Sequence, residues 1–207
     1  TVNLYQPVSG PVDEQNTDVT KTILASAVTG TGITLTATAG LITSDAVGTV
    51  WRIDEHSLAD TALWTSGETA LTVGARRRWN GNIYAVASGT DAGASPPTHE
   101  DGDWSSGNGK VTWTFLNRGY GYVRIVSITS ATVAVADVLS RLPESVTTAA
   151  SYRFWPMAWS VAKGWPDRIR IHQNRLQFWR GNQFWMTKTD DFESFEVLDT
   201  DDGSVSG

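Results

Sequence analysis

The feature that most constrains this chain is a period of two. Apolar side chains recur at every second position in one short run after another, while the 3.6-residue spacing of long amphipathic helices is almost absent. Side chains two apart share one face of a strand. Ile33, Leu35 and Ala37 alternate with Thr34, Thr36 and Thr38. Val111, Trp113 and Phe115 alternate with Thr112 and Thr114, and Ile169 and Ile171 alternate with Arg168, Arg170 and His172. Between such runs lie clusters of Gly, Asn, Asp and Pro, which punctuate strands with turns. Plentiful Gly, Thr, Ser and Val with little Lys point the same way. The expected fold class is therefore all-β: an antiparallel β-sandwich or barrel-like domain followed by a three-strand β-meander.

Three segments follow. Residues 1–28, with Pro7, Gly10 and Pro11, form an extended leader, in which 21–27 is a possible strand. Residues 29–148 form the antiparallel β domain. Residues 149–207 form a Trp-rich meander, the opening of a continuation beyond the chain. Within the domain, Thr43 or Ser44 caps one helical turn that Gly48 ends, and Trp64 folds back onto the core. Asn80-Gly81 marks a type I′ hairpin turn. Residues 136–142 are expected as a short helix stopped by Pro143. In the meander, Gln173-Asn174 supplies one turn and Arg180-Gly181-Asn182 a second. That spacing places Leu176, Phe178, Phe184 and Met186 on one face and turns Trp185 to the other.

A chain of 207 residues can bury a core as one large β domain or two small ones. The absence of Cys excludes disulfides and thiolate metal sites. A net charge of −6 argues against a general nucleic-acid binder. The one basic run, Arg76-Arg77-Arg78, reads as a solvated strand end. No apolar run approaches the ~18–20 residues that span a bilayer, so no membrane span is expected. The first residues lack the basic start and apolar stretch of a signal peptide. A start at Thr1 and a polar GSVSG end suggest part of a longer protein.

Chemistry is sparse. The longest loop, 88–109, holds His99, Glu100, Asp101, Asp103 and Trp104. An imidazole among carboxylates suits a divalent metal or acid–base work. Here the residues are nearly consecutive, without a spaced second ligand set, and they read as a polar loop. His99, Asp101 and Trp104 remain candidate loop contacts. The acids Asp190, Asp191, Glu193, Glu196, Asp199, Asp201 and Asp202 read as solvated charge near a chain end. Two of them facing each other about 5–9 Å apart across a cleft would instead suit glycoside hydrolysis. No Gly-x-Ser-x-Gly occurs, and GTGIT and GYGYV lack the Lys of a phosphate loop. No catalytic residue, metal ligand or cofactor is assigned, and the chain is not expected to be an enzyme. Ten tryptophans in one chain raise a rival reading, a carbohydrate-binding module that stacks exposed Trp rings on sugars. Strand patterns claim Trp51, Trp113 and Trp179 for packing. Trp155, Trp159, Trp165 and Trp185 are the candidate interface residues, since contacts between subunits favour aromatics.

Two stretches carry a resemblance. The first joins Ile83-Tyr84-Ala85, Pro97-Thr98-His99, Gly102, Gly107, the strand Val111-Thr112-Trp113-Thr114-Phe115-Leu116 and Gly119-Tyr120-Gly121-Tyr122-Val123. The second joins Gly164-Trp165-Pro166-Asp167, His172-Gln173-Asn174-Arg175-Leu176, Phe184-Trp185-Met186-Thr187 and Asp190-Asp191-Phe192-Glu193-Ser194-Phe195. In this order they resemble tail tubular (nozzle or stabilisation) proteins of tailed bacteriophages, and residues 32–53 are similar to the portion that precedes them. The resemblance spans roughly residues 30–200; Trp104 departs from it, standing where small residues are usual. It implies a virion structural protein of a phage or prophage tail, assembled in the host cytoplasm. Its implied partners are copies of itself in a ring, a portal or adaptor, and other tail proteins. DNA would pass through without sequence-specific binding, and an acidic lumen would not grip its phosphates.

Overall fold

The computed structural model describes residues 16–160, 163–192 and 195, together with the backbone of 205–206. The protein is almost entirely β. In chain order the strands are β1 (Ile23–Ala25), β2 (Ile33–Ala37), β3 (Val50–Asp54), β4 (Arg76–Trp79), β5 (Asn82–Ser88), β6 (Asp103–Ser105) and β7 (Thr112–Asn117). They continue with β8 (Tyr120–Ser130), β9 (Val133–Ser140), β10 (Phe154–Trp155), β11 (Arg168–His172), β12 (Arg175–Arg180), β13 (Gln183–Met186) and β14 (Val205–Ser206). Short 3-10 turns occupy Ser44–Ala46, Leu58–Asp60 and Glu144–Thr147. The first is the turn expected before Gly48.

A large antiparallel sheet in the order β1-β2-β9-β8-β3-β10 curls into a half-barrel. Its concave side buries Ile23, Leu35, Ile53, Val123, Ile125 and Ala136, covered by Leu142, Val146 and Phe154. Phe154 stacks on Trp51 with ring centroids 5.7 Å apart. One short run reaches both edges. Ser151 exchanges two 2.8 Å backbone hydrogen bonds with Ile23 of β1, and three residues later Phe154 pairs with Ile53 of β3. Irregular register at three places along β8–β9 adds twist. At Gly121 a Cβ would stand 2.4 Å from the Arg141 carbonyl oxygen, so only glycine lets β8 and the end of β9 approach this closely.

The helix expected at 136–142 is instead the continuation of β9. Asp137 and Val138 pair with Arg124 and Val123 of β8, and an eleven-residue partner strand outweighs local helix preference. The large sheet also draws on residues outside 29–148. Ile23–Ala25, from the leader, and Phe154–Trp155, from beyond residue 148, are two of its strands.

The second sheet, β4-β5-β7-β6, buries Tyr84, Val86, Val111 and Trp113 with Trp64, Leu71 and Ala92. Trp64 does fold back, edge-on to Trp79 at 5.4 Å. The Asn80-Gly81 turn has positive φ at both residues, 48° and 80°, as type I′ requires.

In the third sheet the meander β11-β12-β13 forms as expected, with β14 on the outer edge of β13. Its faces differ from the expectation. The second turn has two residues, not three: Arg180 pairs with Gln183, and Gly181 alone takes positive φ (58°). Phe178 therefore pairs with Trp185, whereas Phe184 faces Trp179 and Met186 faces Gln177. A one-residue difference in loop length sends every side chain of β13 to the other face. Trp185 is thus the buried residue, packed with Trp159, Ala158, Phe195 and Phe178.

Candidate interaction surfaces

The four candidate interface tryptophans occupy three different settings. Trp159 and Trp185 meet edge-on at 5.5 Å, and Phe195 joins them, so both belong to the meander's small core. Trp155 is half-buried with its ring 4.4 Å from the Arg52 guanidinium, which also lies 3.7 Å from the Tyr120 ring. Arg52 in turn donates Nε to Asp54 Oδ1 at 2.8 Å and Nη2 to Oδ2 at 3.2 Å, with Arg153 3.8 Å from the same carboxylate. Trp155 therefore helps to hold a buried ion pair at the end of β3. Trp165 alone is open, 52% exposed just before β11.

Beside that ion pair, Glu55 is buried. Its Oε1 accepts from the Thr61 hydroxyl at 3.0 Å, while Oε2 has no hydrogen-bond donor. Burial pushes this carboxyl above the ordinary range, opposed by Thr61 and by the positive charge of Arg78.

The loop candidates are partly brought together. The His99 ring lies 5.0 Å from Tyr84 and 6.1 Å from Trp104, and the Tyr84 hydroxyl donates to the His99 carbonyl at 2.9 Å. Asp101 stands apart from that cluster, exposed in the bend that leads into β6. Glu100 pairs with Arg118 at 2.8 Å, and Asp103 accepts from the Thr114 hydroxyl at 2.6 Å. Of the acidic group near the chain end, Asp190 and Asp191 are exposed. Glu193, Glu196, Asp199, Asp201 and Asp202 lie outside the described residues.

Sequence reasoning missed one open surface. Every residue of β11 is exposed, including Ile169 at 65% and Ile171 at 62%. Beside it a shallow depression of about 650 Å³ is lined by Asp167, Arg168, Ile169, Arg170, Trp179 and Gly181. The Arg-Ile-Arg-Ile-His alternation was visible, but it does not say whether anything covers the isoleucines. Exposed apolar side chains grouped on one strand mark an interaction surface more often than chance exposure. Among the described residues no helix is long and apolar enough to cross a membrane. No protein-family model matches the chain, and no curated protein matches it.

Proposed function

We propose that this chain is a non-enzymatic structural subunit of a tailed-phage or prophage virion tail. It would act in a ring around the DNA channel, beside copies of itself, a portal or adaptor and other tail proteins. The observation that carries the assembly part is the exposure of Ile169 and Ile171 on β11, whose outer edge has no partner among the described residues, and of Trp165 just before it. The tail part rests on the ordered motifs from Gly164 to Phe195 and from Ile83 to Ile125. A net charge of −6 suits a channel that lets DNA slide.

The sugar-binding reading needs two or three exposed, coplanar Trp rings. Trp165 is the single strongly exposed Trp, which leaves that reading without a stacking platform. The test is to express the tagged chain in cells that produce tailed particles, purify the particles and locate the tag by mass spectrometry and electron microscopy. The expected result is tag at the tail in fixed stoichiometry. Particles without it would overturn the tail assignment.

A further inference from the structure

A sheet edge exposes a row of unused backbone donors and acceptors, so edges are usually covered or charged. Among the described residues, three of the six sheet edges, those of β1, β10 and β4, are covered. Ser151 covers β1, and the Asn16 amide donates to the Phe154 carbonyl at 2.9 Å beside β10. Residues 62–64 cover β4 through hydrogen bonds of 2.8 and 3.0 Å with Arg78. Of the remaining three, β6 of the second sheet and β11 of the meander are the two whose side chains are described. They carry opposite charge. β11 presents Arg168, Arg170 and His172, whereas β6 presents Asp103, with Asp101 in the bend just before it.

We propose that these two edges are complementary halves of one interface, so that β11 of one molecule pairs with β6 of a second copy of this chain. The pairing rests on the reading that copies of the chain associate, and it names the surfaces they use.

The faces agree as well as the charges. In the second sheet Trp104 pairs with Trp113 and so lies on the core face, while Asp103 pairs with Thr114 on the opposite face. In the meander Ile169 pairs with Phe178, on the face that holds Trp185, while Arg168 pairs with Trp179 on the other. The outward backbone groups are those of Ile169 and Ile171 on β11 and of Asp103 and Ser105 on β6, so a parallel junction with Ile169 opposite Trp104 lets Ile169 bond to Asp103 and Ser105, and puts Arg168 opposite Asp103 and Arg170 opposite Ser105. Asp101 then lies diagonal to Arg168. Both apolar faces merge into one, and both charged faces meet with opposite sign. The depression lined by Arg168, Arg170 and Trp179 leaves room for the incoming acidic side chains. Strand addition of this kind draws affinity from main-chain hydrogen bonds and specificity from alternate side chains. Because β6 and β11 are different surfaces, the contact is head-to-tail, the type that generates rings or filaments. A junction on three β6 residues is small, which makes the association weak and salt-sensitive.

The test uses charge reversal on exposed residues. Two variants of the full chain are made, R168E/R170E and D101R/D103R, and circular dichroism melts check that each keeps the wild-type fold. Sedimentation velocity then follows self-association. Each variant alone is expected to associate at least about tenfold more weakly than wild type. Mixed in equal amounts they regain association, because each supplies the edge that the other has reversed. Wild-type association by both single variants, or no recovery on mixing, would overturn the proposal. Absence of the chain from virions would remove the tail reading but leave a positive mixing result intact.

Discussion

Strands β2 and β11 are built on the same alternation and end in opposite surroundings. In β2, Ile33, Leu35 and Ala37 are 6, 0 and 8% exposed, whereas Ile169 and Ile171 of β11 are more than half open. A period of two determines which side chains share a face. Whether that face is covered depends on topology. β2 lies inside a sheet whose edges β1 and β10 are covered by Ser151 and Asn16, and whose concave side is filled by Leu142, Val146 and Phe154. β11 is an edge strand of the meander's sheet, whose small core, around Trp159 and Trp185, lies nearer β12 and β13. The half-barrel has used its apolar surface internally; the meander keeps part of its own available.

That contrast is open to attack at several points. Phe154→Ala should cost most, about 3–5 kcal/mol, because it empties a fully buried ring site and weakens the run that closes the half-barrel. Denaturant unfolding measures it. A loss below about 1 kcal/mol would mean that the closure contributes little. Gly121→Ala should cost about 1–3 kcal/mol, since its Cβ meets backbone of residues 140 and 141 that cannot rotate away. An unchanged melting temperature would contradict the close approach of β8 and β9.

Glu55→Gln should act through pH. The folded carboxyl lies above its unfolded value, so its contribution favours the folded state at low pH and is lost as pH rises through the folded value. The variant should gain stability relative to wild type as pH rises above the ordinary carboxylate range. Glu68 and Asp91 slope the other way, because hydrogen bonds from Arg77 and Lys110 hold them below the ordinary range. Their stabilisation is lost as pH falls. A pH-independent difference between wild type and Glu55→Gln would contradict the buried, one-donor description of that carboxyl. The smallest effect is expected from Ile171→Ala, within about 0.5 kcal/mol of wild type in the isolated chain. A loss of the size typical for a core isoleucine would show that the meander's outer face is covered after all.

Much of the fold was legible in residue order. The alternation in β2, β7 and β11, the Asn80-Gly81 hairpin and the one-turn helix before Gly48 all depend on local chemistry. The misplaced features depend on distant partners. Ala136–Ser140 continues as strand because Tyr122–Ile125 lie alongside. Trp185 is buried because the Gly181-Asn182 turn is one residue shorter than the polar run suggested. The candidate surface was half legible. Trp165, Asp101 and Trp104 were singled out by type, and Trp165 and Asp101 are exposed. Arg168, Ile169 and Arg170 emerged only once β11 was seen to end its sheet, since no local signal distinguishes an edge strand from an inner one.

The central claim, that the meander's open strand is an assembly surface, is tested most directly by the mass of the wild-type chain in solution across concentration and salt. The account expects a mass that rises above 22.5 kDa with increasing concentration at low salt and falls back toward it as salt screens the arginine and aspartate edges. A mass fixed at 22.5 kDa under all of these conditions would contradict it.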